Sequence, residues 1–190
     1  MSARVIPMKE WIEGLEEAAQ ELLKTSLRFE EGAGKTVKGG GKGVTQKKGA
    51  RAAAKSSGKS KPAATGGFAP GDEPQCGTYI AVLGDANSMH LGIVTTPLGC
   101  QALARGLLGM RSSEEISEKD AVDGMSEVMN IVAGKVKSRL SEHDHGLRLG
   151  MPIFMKQPIE EREGMERVAA DVTIGPVPCR LLVFRPKRAA

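Results

Sequence analysis

One stretch limits the possible folds more than any other. Residues 32–71, GAGKTVKGGGKGVTQKKGARAAAKSSGKSKPAATGGFAPG, hold nine Lys and Arg, no acid and few large apolar side chains. Such a segment cannot offset its own ordering entropy by burying surface, so it is expected to be a flexible linker. Any core must therefore come from the residues on either side. The formal charge of +4 belongs to this segment alone. Residues 1–31 carry four basic and seven acidic groups, and residues 72–190 carry fourteen and sixteen. The expected organisation is an N-terminal helix (1–31) docking on a main domain (72–190), with the basic linker between them.

The flanking sequence excludes several classes. It has no run of 18 apolar residues, so no membrane span is expected, and the N-terminus lacks the apolar core of a secretory signal. Three widely spaced cysteines, Cys76, Cys100 and Cys179, argue against a disulfide framework or a structural zinc site and point to a reducing cytoplasm. Aromatics at 3% disfavour a base-stacking nucleic-acid surface. Within the linker, GAGKT resembles the end of a phosphate-binding loop. However, the full pattern needs Gly where Phe29 stands, and no strand precedes it. A basic arm touching nucleic acid or anionic membrane by charge is the competing reading of the linker.

Hydrophobic spacing gives the elements. Residues 8–28 read as an amphipathic helix with Trp11, Leu15, Ala18 and Leu22 on one face, extending toward Thr25, and Ile12, Ala19 and Leu23 beside them. A partner-binding helix is the alternative use of that stripe. TYIAVLGD (78–85) and SMHLGIVTT (88–96) read as a hairpin. A helix opens at Pro97 and ends near Gly109, and a longer one runs to about Leu140 or Ser141, capped by Ser112 with Glu115 or by Ser117 with Asp120. Three strands are expected to close the chain, at about 147–156, 165–174 and 179–184, with Pro176 and Pro178 separating the last two. The expected class is α/β of the α+β type, an antiparallel-rich sheet with long helices packed on it.

The second long helix carries the informative pattern. With Asp123 at zero and about 100° per residue, Glu127 falls near 40°, Asn130 near 340° and Gly134 near 20°. Met125, Val128, Met129, Val132, Val136 and Leu140 fall on the opposite side. The helix should bury its apolar face and present a polar ridge. Asn and Gly are poor choices for an exposed helix interior, and a closely approaching partner backbone would explain Gly134. An ordinary polar face with an incidental glycine is the competing explanation.

DAVDGMSEVMNIVAG (120–134), with Asp123, Glu127 and Asn130 in register, resembles the signature helix of the CheC/CheX/FliY chemotaxis phosphatases. TYIAVLGDANSMHLGIVTT, LARGLLGM, MPIFMK and CRLLVF resemble further elements of that family, so the resemblance covers nearly everything except residues 32–71. A single Glu-x-x-Asn helix is similar to the X type rather than to members carrying two. The long linker departs from the family pattern.

The resemblance implies a CheC-like fold and an enzyme, a protein aspartyl-phosphate phosphatase. It would act on a phosphorylated CheY-like response regulator in chemotaxis or another two-component pathway. Asn130 would orient the attacking water, Glu127 would pair with the regulator's active-site lysine, and Asp123 and Gly134 would serve docking. No cofactor of its own is implied, since Mg2+ would come with the regulator. A homodimer joined through sheet edges is also implied. A non-catalytic receiver-binding or scaffold protein of the same fold is the alternative.

The remaining candidates have plainer readings. His143 and His145 in SEHDHG, with Glu142 and Asp144, are a weak metal set and read as a polar turn at a helix end. His90 reads as a hydrogen-bonded structural residue on a strand, and Cys100 and Cys179 as core.

Overall fold

The structure is a computed structural model that describes residues 3–29, 74–157, 159 and 163–187. The basic linker expected at 32–71 lies outside the described residues. Among the described residues, three helices, α1 (Met8–Thr25), α2 (Pro97–Leu108) and α3 (Glu118–Leu140), accompany six strands. The strands are β1 (Cys76–Leu83), β2 (Ser88–Thr95), β3 (Arg148–Leu149), β4 (Ile153–Met155), β5 (Met165–Ile174) and β6 (Val177–Pro186). All pairings are antiparallel, in the order β3-β1-β2-β6-β5, with β4 also on β1.

The two-residue period of each strand decides which face the helices cover. Cys76, Ile80 and Val82 of β1, Met89, Leu91 and Ile93 of β2, and Cys179, Leu181 and Val183 of β6 join the helices in one core. The intervening residues Tyr79, Val94, Leu182 and Phe184 form a smaller cluster on the other face, with Met155, Ile159 and Met165 against it. Gly92 lies directly across from Tyr79. A Cβ there would sit 2.6 Å from the Tyr79 ring, so the glycine makes room for the aromatic.

Helix α1 buries Trp11, Ile12, Leu15, Ala18, Ala19 and Leu22 and packs on α3, β5 and β6. It stops at Thr25, short of residue 28. Thr25 is exposed and donates its hydroxyl back to the Glu21 carbonyl. Beyond it the chain turns away, and the Arg28 N–H donates to the Gly106 carbonyl on α2.

The strand expected at 147–156 is two short strands. Gly150 still donates its N–H to the Ala81 carbonyl of β1 at 2.8 Å, but Pro152 has no N–H to give, and the pairing resumes only at Ile153. At the other end of the sheet, β6 is longer than expected and includes Pro178. The turn between β5 and β6 falls at Gly175, with φ 61°, and Pro176. Pro178 lies beyond the last β2–β6 pair, Val94 with Arg180, so its missing N–H breaks no central ladder there.

His90 corrects another expectation. Its ring stacks on Phe184 at 5.0 Å, but Nδ1 is buried without a hydrogen-bond partner. Burial lowers its pKa and favours the neutral ring.

Candidate functional site

Helix α3 is well specified locally. Of the two capping possibilities, Ser117 is the one used: its hydroxyl accepts from the Asp120 N–H at 3.1 Å and donates to the Asp120 carboxylate at 2.7 Å. Glu118 and Asp120 lie in the first turn, and Lys137 and Arg139 in the last, each sign favoured by the helix dipole. Met125, Val128, Met129, Val132, Val136 and Leu140 are all buried.

Asp123 and Glu127 are exposed on the opposite side, while Asn130 and Gly134 are half-buried. The Asn130 amide donates from Nδ2 to Glu127 Oε2 at 3.4 Å. This long contact keeps the carboxamide beside the carboxylate without consuming either group. Two neighbouring hydroxyls turn back onto the helix, Ser126 to the Val122 carbonyl and Ser138 to that of Gly134, each at 2.9 Å. A Cβ placed on Gly134 would meet nothing within 4 Å. The four residues therefore lie along one ridge, and the backbone at Gly134 is open to an approaching surface.

The ridge is held from beneath. Gly124, also on α3, is buried against α2, where an added Cβ would lie 2.7 Å from Ala104 Cβ. This glycine sets the distance between the two helices. On the α1 side, Lys135 pairs with Glu21 at 3.0 Å, and Arg139 pairs with both Glu17 and Glu21. The hydrogen bond and charge of Lys135 hold the Glu21 carboxyl below its ordinary range.

Asp144 was underestimated by sequence reasoning. It is fully buried and accepts hydrogen bonds from the Asp85, Ala86 and Gly146 N–H groups and from Asn87 Nδ2. Asn87 in turn donates to the Arg4 carbonyl and accepts from the Ile6 N–H. Burial opposes ionisation of Asp144, but these donors overcome it and hold its pKa below the ordinary 3.8. The group locks the end of α3 to the β1–β2 turn and to the segment entering α1. An Asp among histidines gave only a metal hint, because its partners are far away in sequence. His143 lies 3.7 Å from Glu10, and no cluster of three or more His, Cys, Asp or Glu suited to a metal occurs among the described residues.

No helix among the described residues is long and apolar enough to cross a membrane. A family model described as "Chemotaxis phosphatase CheX" matches residues 77–172, a span that contains the hairpin except for Cys76, together with α2, α3 and the whole ridge. No curated protein matches the chain. Among solved structures, chemotaxis protein CheX from Vibrio vulnificus is similar over 97% of this chain and 100% of its own, with a TM-score of 0.59 at 14% identity. A CheC-like superfamily protein from Shewanella sp. PV-4 covers 95% and 99%, at 0.58 and 16%. The CheX-CheY-BeF3-Mg2+ complex from Borrelia burgdorferi gives 0.56 and 10%, covering 97% and 100%. At these identities the likeness is one of fold, and the fold is CheC-like.

Proposed function

The chain belongs to the CheX family of chemotaxis phosphatases, and from that premise we propose that it hydrolyses the aspartyl phosphate of a CheY-like response regulator. The observation that carries this reading is the adjacent pair Glu127 and Asn130 on the exposed face of α3. In the docked complex Asn130 enters the regulator's phosphorylated pocket. Its amide offers both a donor and an acceptor, enough to hold a water in line with the phosphorus. The water attacks, the bond to the aspartyl oxygen breaks, and the regulator's carboxylate leaves as inorganic phosphate forms. Positioning and electrostatics dominate such transfers, so no strong base is needed.

Glu127 docks onto the regulator's active-site lysine and fixes the approach. Asp123, one turn earlier, assists docking, and Gly134 lets the partner backbone come close. The ridge supplies two carboxylates and one carboxamide, a thin set for a resident metal. Mg2+ is assigned to the regulator and would neutralise phosphoryl charge there. The Borrelia burgdorferi relative is a complex with CheY, BeF3 and Mg2+, which supports a partner of that class. Three unpaired cysteines support a reducing, cytoplasmic setting. A homodimer joined through a sheet edge is part of the proposal. The ten-residue β5 has an unpaired outer side among the described residues, and Met151 and Ile153 are exposed at the opposite edge.

The test is phosphate release from a phosphorylated receiver domain, with binding measured alongside. Acceleration by the wild-type chain that is lost in Asn130→Ala, with binding retained, is the expected result. Equal acceleration by both proteins refutes the role of Asn130. Tight binding with no acceleration by the wild type would make the chain a receiver-capturing protein instead.

A further inference from the structure

Cys76 and Cys100 are 24 positions apart in sequence, yet their sulfurs lie 3.1 Å from each other. Cys76 is the first residue of β1, and Cys100 lies in the first turn of α2. Both thiols are free. We propose that they form a modification site, a dithiol that hydroperoxides oxidise to a reversible intramolecular disulfide.

The sulfurs need to close by only about 1 Å to reach disulfide length. The two side chains sit on different elements, so the approach needs a small shift of α2 against β1 rather than unfolding. Both cysteines are buried, at 4% and 3% exposure, but unlike Cys179 they line a cleft of about 410 Å³ at the junction of β1, α2, α3 and β4, with Ala121 and Phe154 beside them and Glu118 and Lys156 flanking it. Those last two residues form an ion pair at 2.6 Å. A peroxide is small enough to enter such a space.

One of the two thiols donates to the other sulfur, so loss of one proton leaves a thiolate held by the remaining S–H, while burial opposes the charge on either sulfur. Either sulfur can attack with the other resolving, and the step balances in the same way, here with Cys76 attacking. The Cys76 sulfur attacks one peroxide oxygen, the O–O bond breaks, and the departing oxygen leaves as water or alcohol after protonation. Cys76 is then a sulfenic acid. The Cys100 sulfur attacks the Cys76 sulfur, the S–O bond breaks and water leaves. Two thiols are oxidised and one peroxide is reduced. Cys179 is fully buried and donates to the Val177 carbonyl, and burial pushes it up to about 12, so it serves as the internal control. A transient cytosolic disulfide of this kind fits redox sensing.

The site does not depend on the phosphatase reading, and its test uses no phosphatase assay. The folded full-length chain is treated with equimolar hydrogen peroxide, then unfolded, alkylated and mapped by mass spectrometry. The expected product has lost the mass of two hydrogens and carries a Cys76–Cys100 cross-linked peptide. Cys179 is alkylated, and dithiothreitol restores the starting mass. Sulfinic acid on Cys76 with Cys100 still alkylatable, cross-links through Cys179 or between chains, or three unreacted thiols would each overturn the assignment.

Discussion

Replacing Gly134 and Gly124 separately by alanine should give opposite results, although both lie on α3 and both gain helix propensity. An exposed helical Gly→Ala change is worth about 0.5–1 kcal/mol. At Gly134 the new methyl meets nothing within 4 Å, so the full gain is expected, a rise of about 1–4 °C in melting temperature for a chain of this size. At Gly124 the methyl would lie 2.7 Å from Ala104 Cβ and 3.1 Å from its Cα. Overpacking of that kind costs about 1–3 kcal/mol, which leaves a net loss of up to about 2.5 kcal/mol and a lower melting temperature. Thermal unfolding of the two variants checks this half of the reasoning. The second half concerns the partner. A methyl on the ridge should hinder a docked receiver domain, so Gly134→Ala should weaken binding roughly five-fold or more while it stabilises the free protein. The assay is titration with a beryllofluoride-loaded receiver. If Gly134→Ala melts lower, its surroundings are not open. Should it melt higher yet bind unchanged, the partner does not approach the helix at this point.

Other substitutions probe the same structure. Glu127→Lys should reverse the docking charge and reduce receiver affinity at least ten-fold, by about 1.4 kcal/mol, with the melting temperature nearly unchanged because the side chain is exposed; a competition titration reads this. Asp144→Ala should destabilise the fold by about 3 kcal/mol, since four donors lose their acceptor in a buried place; urea unfolding measures it. Acid should produce a related loss. The folded Asp144 pKa lies below 3.8, so its stabilisation is complete above that value and disappears as pH falls through the folded pKa. His90, with its pKa lowered from 6.5, begins to disfavour the folded state below about pH 6.5, where the unfolded chain takes up a proton first. Urea midpoints of the wild type between pH 7 and pH 3 should therefore fall in two stages, and the lower one should shrink in Asp144→Ala without vanishing, because the lowered Glu21 contributes there as well. Trp11→Ala should cost about 3–5 kcal/mol, because Trp11 is fully buried between α1 and the rest of the core.

Period and composition were enough for the regular elements. Helix α3 was legible because its apolar residues recur every three or four positions, and the same arithmetic put Asp123, Glu127, Asn130 and Gly134 on the outward side, where the structure has them. The hairpin of β1 and β2 was legible from two β-rich runs around a short polar turn. Edges were harder to place. The break between β3 and β4, the extension of β6 through Pro178 and the early end of α1 depend on which neighbour offers a hydrogen-bond partner, and local sequence does not encode that.

A chain written in one dimension determines which faces are apolar and which polar, because side-chain direction repeats with the backbone period. That is why the ridge and its carboxylate–carboxamide pair could be read before any coordinates. Tertiary structure alone decided what those faces meet. It brought Cys76 against Cys100, pressed Gly124 onto Ala104 while leaving Gly134 open, and gave the buried Asp144 donors from two separate turns. Each of these depends on distances between residues far apart in the chain, and those distances are fixed only when helices and sheet close on a common core.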